Sequence, residues 1–372
     1  MIEVVSLLNI CKPKQWKTIS KNNLLEEGYP VYGANGKIGY YSEFTHENPT
    51  ILVTCRGATC GKINICEHNS YVNGNAMALD ALDSSVDIKY LFYTLNSIGF
   101  NNVISGSAQP QITRQNLKNY KIPLPPLPEQ KKIAEILDAA DALRQKDQQL
   151  IEHYDQLSQS LFLDMFGDPG KKEYKHTEFT MEEIAFKVTD GDHATPKRTD
   201  SGYKLLSCRN VKQSFIDFDA GVDYVDEHEF NRMFKRCNPE KRDILISCSG
   251  TIGRVTVIRT EEPFVLVRSA ALVKPKPDLV NSFFLEKYLQ TPYMQAVMKK
   301  KANTSSQANL FTGPMKSLPV LLPDIAHQNQ FADQVQAIEK QKTQAELILK
   351  KTDELFNCLL QKAFTGELTQ SL

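Results

Sequence analysis

Two glycine-containing loops carry residue types that could hold a phosphate group. They are Arg56-Gly-Ala-Thr-Cys-Gly-Lys62 and Ser249-Gly-Thr-Ile-Gly-Arg254, and each follows a strand-like run and ends in a cation. The first resembles a nucleotide-binding loop, but it is one residue short, and Ile63 stands where Ser or Thr would hold magnesium. Backbone N–H groups at such a turn, together with one cation, can instead hold a nucleic-acid phosphate. The alternative interpretation is a tight hairpin with an incidental surface cation.

A zinc site could be suspected from four neighbouring residues with metal-binding atoms, namely Cys55, Cys60, Cys66 and His68. Their spacing matches no standard closed zinc site. The second half of the chain aligns residues without such atoms with the three cysteines, namely Ser247, Ile252 and Ile258. We therefore expect buried small thiols, and we expect the chain to bind neither a metal nor another cofactor.

The polar segment Asp190-Gly-Asp-His-Ala-Thr-Pro-Lys-Arg198 is a third candidate site. A histidine beside carboxylates could form a catalytic pair, but no nucleophile accompanies it. We expect a structured loop that faces DNA and presents Lys197 and Arg198. A plain capped turn is the alternative.

Two matched polar segments, 105–112 and 303–310, contain Gln109 and Gln307. A glutamine amide can pair with adenine through two hydrogen bonds in the major groove. Capping of the junction with the following helix explains the same residues equally well. The candidate DNA-binding residues are these glutamines and the nearby cations: Arg56, Lys62, Gln109, Arg114, Lys197, Arg198, Arg209, Arg254 and Gln307.

Motifs for catalysis are missing from the sequence. It contains no Asn-Pro-Pro-Tyr-like tetrapeptide for amino methylation, no glycine-rich loop for S-adenosylmethionine and no clean Asp…Glu-x-Lys nuclease core. We therefore expect a non-catalytic chain, and a self-contained nuclease or methylase is disfavoured.

An internal repeat organises the elements that would position these loops. One ungapped offset of 198 residues aligns the segment 107–166 with the segment 305–364. The alignment runs over about sixty positions without a gap, and identical residues are scattered along it. The identical pairs include Gln109 and Gln307, Lys118 and Lys316, Gln130 and Gln328, Ala134 and Ala332, Asp155 and Asp353, Leu161 and Leu359, and Phe166 and Phe364. The chain is therefore two copies of one plan.

Each copy is predicted to be a β-rich globular part, a proline-rich elbow and a long helix, so the fold class is α+β. The predicted boundaries are 1–122, 123–170, 171–318 and 319–372. Both helices carry residues at alternating steps of three and four, typical of a coiled-coil seam. The seam of the first helix comprises Ile133, Ile136, Ala140, Leu143, Asp147, Leu150, Tyr154, Leu157 and Leu161. The matched seams predict that the helices pack on each other, and separate packing of each on its own globular part is the alternative.

The charge distribution favours an anionic partner for the globular parts. The formal net charge of the chain is +0. Residues 1–122 contain 11 Lys+Arg and 9 Asp+Glu, and residues 171–318 contain 24 and 19. Both helical segments carry an excess of acids instead. No apolar run is long enough to span a membrane, and the eight cysteines form no paired framework, so we expect a cytoplasmic protein with reduced thiols.

The sequence resembles the specificity-subunit family of type I restriction-modification enzymes over almost its whole length. Leu124-Pro-Pro-Leu-Pro-Glu-Gln-Lys-Lys-Ile-Ala134 is similar to the start of that family's central helix. The segments 29–36, 189–196, 202–210 and 243–253 are similar to landmarks of its target-recognition domains. One departure is the second elbow, where Ala326 and His327 replace Pro128 and Glu129.

The resemblance implies two target-recognition domains at opposite ends of an antiparallel helical pair, with each domain reading one half of a bipartite double-stranded DNA site. It also implies two methylase subunits as partners, which two translocase-nuclease subunits can join. S-adenosylmethionine, ATP and Mg²⁺ would belong to those partners. The alternative from another class is a stand-alone coiled-coil scaffold or regulatory protein without sequence-selective DNA binding.

Overall fold

The chain divides into two compact units in a computed structural model that describes residues 3–106, 109–171, 176–302 and 309–370. Unit 1 comprises Met1–Gln148 and Glu346–Leu372, and unit 2 comprises Gln149–Ala345. Within the described residues, no helix is long and apolar enough to cross a membrane.

Among the described residues, the globular part of unit 1 contains three small sheets. Their strand orders are β1-β9, β2-β8-β5-β6 and β4-β3-β7, and β3 pairs with β7 in parallel. The strands are β1 Glu3–Ser6, β2 Lys12–Gln15, β3 Tyr29–Gly33, β4 Gly36–Tyr41, β5 Ile51–Thr54, β6 Ile63–Ile65, β7 Tyr71–Val72, β8 Ala76–Asp80 and β9 Lys121–Leu124. The helices are α1 Leu7–Ile10 and α2 Ile88–Ile98, with 3₁₀ turns at Lys21–Asn23, Asn101–Val103 and Asn116–Asn119.

The helix α3, Leu127–Phe166, follows the proline-rich elbow and runs from unit 1 into unit 2. Its start is held by Gln130, which is only 1% exposed. The Gln130 amide donates to the carbonyl oxygens of Pro125 at 2.8 Å and Ser85 at 3.0 Å. Its oxygen accepts from the backbone N–H of Asp87 at 2.8 Å, and Asp87 caps α2. One side chain therefore joins the elbow, the long helix and the globular part of unit 1.

The globular part of unit 2 has the same central strand arrangement. Its sheets have the orders β10-β19, β11-β18-β15-β16 and β12-β14-β13-β17, and β13 pairs with β17 in parallel. The strands are β10 Thr177–Thr180, β11 Ala185–Asp190, β12 Arg198–Thr199, β13 Tyr203–Leu206, β14 Asp223–Val225, β15 Ile244–Ser247, β16 Val255–Val257, β17 Phe264–Leu266, β18 Ala270–Pro275 and β19 Pro319–Leu322. The helices are α4 Glu227–Arg236, α5 Ser282–Gln290, α6 Pro292–Lys301 and α7 Thr312–Lys316.

The sequence pattern of residues 282–299 predicts one helix, but in the structure this segment is broken into α5 and α6. Thr291 has an extended conformation, with φ −60° and ψ 147°, because the residue before a proline is disfavoured in the helical region. It ends α5, and its side chain caps α6 by accepting from the N–H of Met294. Pro292 therefore starts a second helix.

The last helices are α8, Ile325–Thr365, and α9, Glu367–Gln370. Gln328 holds the start of α8 as Gln130 holds that of α3. Its amide donates to the carbonyl oxygens of Pro323 at 2.8 Å and Leu279 at 3.2 Å. Its oxygen accepts from the N–H of Asn281 at 2.9 Å, and Asn281 caps α5.

The two long helices contact each other within each unit, and the contacts run antiparallel. In unit 1, Arg144 of α3 donates to Asp353 of α8 at 2.8 Å, and Thr352 donates to Asp147 at 2.9 Å. The Arg144 guanidinium also lies 4.4 Å from the centre of the Phe356 ring. In unit 2, the Lys342 ammonium is 2.7 Å from Asp155, and the Phe162 and Phe331 rings are 5.7 Å apart.

The predicted seam is partly wrong. Leu143, Leu150 and Leu157 were placed on the seam, but their exposed fractions are 44%, 41% and 50%. Ile348 and Leu355 of α8 are exposed as well. The less exposed positions lie one residue later, at the half-buried Arg144 and the buried Ile151 and Ser158, and Arg144 bonds across to Asp353. A search for regularly spaced apolar residues does not find an arginine that binds across the interface.

The sequence alignment that matched Cys55 with Ser247 is off by one residue. Cys55 directly follows β5, and its carbonyl accepts from the N–H of Ile112 at 3.0 Å. Cys248 directly follows β15, and its carbonyl accepts from the N–H of Leu310 at 2.9 Å. The alignment failed because the hairpin in unit 2 is one residue shorter.

Replacing Gln130 with Leu should lower the free energy of unfolding of unit 1 by about 2–4 kcal/mol, because it leaves two or three backbone groups without partners. Urea unfolding followed by fluorescence measures the change, since the single tryptophan, Trp16, lies in unit 1. Gln145→Leu is the matched control, since the exposed Gln145 amide bonds to Asp141 and to no other described side chain, and about 0.5 kcal/mol or less is expected there. Equal effects of the two variants would contradict the anchoring role.

Thiol reactivity should separate the cysteines by burial. Burial raises the pKa of Cys11, Cys237 and Cys248 to about 12, so almost no thiolate forms at neutral pH. The native chain should react with a maleimide at Cys358, which is exposed, and leave those three unmodified. Peptide mass spectrometry measures the labelling, with urea-unfolded chain as the control in which all sites react. Labelling of Cys237 as fast as Cys358 would show that its environment is open.

Candidate nucleic-acid interface

The first candidate loop is a hairpin between β5 and β6 in unit 1. The N–H of Thr54 donates to the carbonyl of Lys62 at 2.8 Å, and the N–H of Gly61 donates back to Thr54 at 2.8 Å. The hairpin exposes the side chains of Arg56 and Lys62, which make no ion pair with any other described residue. Both cations are therefore available to an anionic ligand.

A second segment is bonded to this hairpin. Arg56 forms an isolated β-bridge with Gln111, and the N–H of Gly57 donates to the carbonyl of Pro110 at 3.1 Å. The adjoining Gln109 is exposed. Arg114 is also exposed, in the turn that follows. The structure thus brings Arg56 and Gln109, which are far apart in the sequence, onto neighbouring loops.

The hairpin of unit 2 repeats this arrangement between β15 and β16. The N–H of Ser247 donates to the carbonyl of Arg254 at 2.9 Å, and the Ser247 hydroxyl donates to Thr251 at 2.6 Å. Ser249 forms an isolated β-bridge with Asn309, as Arg56 does with Gln111. Arg254 is half-buried. Gln307 lies outside the described residues.

Arg209 lies on a turn next to this hairpin. Its neighbour Cys208 contacts the hairpin, because the Ser249 hydroxyl is 3.8 Å from the Cys208 sulfur. The N–H of Cys208 also donates to the Ser269 hydroxyl at 3.0 Å. Arg209 is exposed, and like Arg254 it forms no ion pair with another described residue. Unit 2 therefore also groups cations and short polar side chains around its hairpin.

The loop that begins at Asp190 is bonded to α4. Asp192 accepts from Arg232 at 2.5 Å, and Asp190 accepts from Arg236 at 2.9 Å. Burial acts to raise the pKa of Asp192, but the hydrogen bonds and charge of Arg232 outweigh it and hold that pKa below its usual value. The carboxylate's stabilising effect is therefore lost only as the pH falls through this lowered pKa. The residue between Asp190 and Asp192 must be glycine, because a Cβ on Gly191 would lie 2.3 Å from the Leu266 carbonyl oxygen.

The pairs Asp190–Arg236 and Asp192–Arg232, called the clasp below, give the segment 190–198 a structural role. His193 is exposed and bonds to Asp190 at 2.7 Å, so the histidine and its carboxylate belong to the clasp. Arg198 pairs with Asp223 at 2.8 Å, both partly exposed. Lys197 is exposed and forms no ion pair with another described residue. Nothing in the clasp brings it next to the Ser249–Arg254 hairpin, so its predicted contact with DNA remains a prediction.

Two sets of basic residues were not singled out from the sequence. One is the pair Arg232 and Arg236, spaced four residues apart on α4, and the other is the run Lys299–Lys301 at the end of α6. Both are visible in the sequence as closely spaced cations, although no helix is predicted over Glu227–Arg236. No group of three or more His, Cys, Asp and Glu side chains among the described residues could hold a metal ion.

Comparison with known proteins adds a family to this geometry. A family model described as the type I restriction modification DNA specificity domain matches residues 2–153 and 226–353. The chain is 23% identical over 394 residues to the type I restriction enzyme EcoBI specificity subunit of Escherichia coli, a match that covers 93% of this chain and 76% of that protein. It is 30% identical over 143 residues to the EcoprrI specificity subunit of Escherichia coli, covering 37% of this chain and 35% of that protein.

Two solved structures share the fold. The crystal structure of the S subunit of a type I restriction-modification system from M. genitalium superimposes with a TM-score of 0.64 at 20% identity, over 98% of this chain and 96% of that one. A chain from a study of complex assembly and conformational transition in the type I R-M system gives a TM-score of 0.53 at 16% identity, over 98% of both chains. These likenesses support the α+β fold with two sheet-rich parts and long helices. The family match extends over most of the sequence, and the chain belongs to the type I restriction-modification DNA specificity family.

Proposed function

We propose that this chain is the specificity subunit that reads a bipartite double-stranded DNA target for a type I restriction-modification complex. The observation that carries the proposal is the hairpin found in both units. In each, a polar segment is bridged to the hairpin, and cations without ion pairs among the described residues lie beside it, exposed except for the half-buried Arg254. Backbone N–H groups and cations suit phosphates, which supply affinity, and neighbouring polar side chains suit base edges, which supply discrimination.

A duplicated, pseudo-two-fold architecture is supported by matched detail in the two units. The elbow strands β9 and β19 pair in the same register, with Leu124 opposite Glu3 and Leu322 opposite Thr177. Gln130 and Gln328 make the same three kinds of hydrogen bond. Two similar recognition modules, predicted at residues 1–122 and 171–318, would suit a target with two separated half-sites.

We further propose that α3 and α8 form an antiparallel coiled coil. Support comes from the helix contacts in each unit, which alternate between charged pairs and aromatic packing. Polar contacts at a seam, such as the one between Thr352 and Asp147, fix the register of two helices. Such a pair would set the distance between the two modules and hence the spacer between half-sites.

The chain would not itself cut or methylate DNA. Two methylase subunits would clasp it together with DNA, and two translocase-nuclease subunits can join. S-adenosylmethionine, ATP and Mg²⁺ would be bound by those subunits. Because the proposed ligand is genomic DNA, we expect the complex to act in the cytoplasm.

Exchange of residues 171–318 for the equivalent part of another family member should change one half-site and leave the other unchanged. The physical reason is that the hairpin, its bridged segment and their cations lie within one unit. Adenine-methylation mapping in cells that express the chimera with its methylase measures both half-sites.

The reciprocal exchange of residues 1–122 is the control for this chimera and should change the opposite half-site. A chimera that altered both half-sites together would contradict modular reading. Absence of any sequence-selective methylation with the unaltered chain and its methylase would instead favour a scaffold protein.

Lengthening both long helices by four residues should lengthen the spacer by one or two base pairs. Insertions after Gln145 in α3 and after Thr352 in α8 add about 6 Å to each helix and keep the pairs Arg144–Asp353 and Asp147–Thr352 together. Because base pairs are spaced by about 3.4 Å, both half-sites should keep their sequence and move apart.

Paired two-residue insertions at the same positions are the control. They rotate the following helix face by about 200° and should abolish sequence-selective methylation by the complex. Methylation mapping is again the measurement. An active four-residue variant with an unchanged spacer would show that the helices do not set the distance.

A further inference from the structure

The helix α6 of unit 2 ends in three consecutive lysines, Lys299, Lys300 and Lys301. Its inner face is anchored by Met294 and Met298, which are fully buried. The Lys301 ammonium donates to the Ser317 hydroxyl at 2.9 Å. The side chains of Lys299 and Lys300 are exposed and make no hydrogen bond or ion pair with another described residue. Two positive charges are therefore held on a fixed helix without a protein partner among those residues.

Gln295 places this helix against the candidate DNA-binding hairpin. Its amide donates to the carbonyl of Gly253 at 2.8 Å and to that of Leu289 at 2.8 Å. The approach is close, because a Cβ on Gly253 would lie 2.9 Å from the Gln295 side-chain oxygen. Residues four apart lie on the same helix face, at about 5–6 Å between their Cβ atoms. Lys299 is therefore on the face of α6 that contacts the hairpin ending at Arg254.

Unit 1 has buried and half-buried apolar side chains at the corresponding place. A Cβ on Gly61, the equivalent hairpin residue, would contact Phe100 at 3.4 Å and Ile104 at 3.7 Å. A 3₁₀ turn, Asn101–Val103, follows α2 there instead of a second helix. The sequence between Lys89 and Arg114 contains no Lys or Arg. The basic helix end is therefore a feature of unit 2 that the duplication does not explain.

We propose that Lys299 and Lys300 bind backbone phosphates of the DNA beside the second half-site. This inference rests on the proposed function. Lysine suits the role, because an ammonium on a flexible stem is a point charge that follows phosphates without selecting a base. Lysines at a helix C-terminus also stabilise the helix dipole, but Lys301 already provides a charge there. Lys299 and Lys300 are therefore not needed to offset the helix dipole.

The test is the double variant Lys299→Ala/Lys300→Ala in the full chain. Binding to a labelled duplex of random sequence is measured by fluorescence anisotropy over a series of salt concentrations. Loss of two phosphate contacts should reduce the slope of log K against log salt by about 1.8. Lys299→Arg/Lys300→Arg should restore the slope, since the charges return. Half-site sequences from methylation mapping should stay unchanged in all variants.

Lys350→Ala/Lys351→Ala is the matched control, because it removes an adjacent pair of exposed lysines from another helix, α8. Its slope should equal that of the unaltered chain. A lower melting temperature of the α6 variant with an unchanged slope would mean that the lysines only stabilise the helix, and would overturn the inference. Loss of methylase binding with an unchanged slope would identify an acidic protein surface as the ligand, and would overturn it too. If the unaltered chain and its methylase complex bound DNA with no salt dependence, the proposed function itself would fail.

Discussion

The start of each long helix depends on one buried amide side chain. A proline-rich elbow has carbonyl groups that need donors, but its prolines have no N–H to offer one another. Gln130 and Gln328 supply the missing donor to Pro125 and Pro323, and each amide oxygen accepts from the residue that caps a helix of the globular part. Leaving such buried groups without partners is costly.

Because the amide bonds both to the elbow and to the globular part, each helix begins in a fixed orientation on its own unit. The elbow strand is held at the same time by its antiparallel pairing with the first strand of that unit. The hairpin and the segment bridged to it belong to the same packed core. The candidate site of each unit is therefore fixed relative to the start of a helix, which is what a chain that measures distance along DNA would need.

The sequence was sufficient for features that repeat or that alternate in polarity. The buried runs of β5 and β15, the elbows and the starts of both long helices follow from β-branched runs, prolines and the offset between the two copies. The contact line between the helices did not, because Arg144, which lies outside the predicted seam, bonds to Asp353 of the other helix. The break between α5 and α6 was missed although Pro292 marks it, since the helical pattern continues on both sides.

The candidate site shows a related limit. Arg198, Arg232 and Arg236 are as basic as Arg209, but all three lie against carboxylates of their own unit. A sequence gives the number of cations and not the distance of each from an acid far along the chain. The pairing decides how much charge a surface offers, so the net excess of residues 171–318 describes the interface only coarsely.

Leu143, Leu150 and Leu157 repeat every seven residues along α3 and remain exposed. Exposed apolar side chains in either unit favour association with apolar surfaces of other molecules. The consequence is practical as well as physiological. A chain produced without a molecule that covers these leucines will tend to self-associate as its concentration rises. Its yield and homogeneity therefore depend on whether such a molecule is produced in the same cell at the same time.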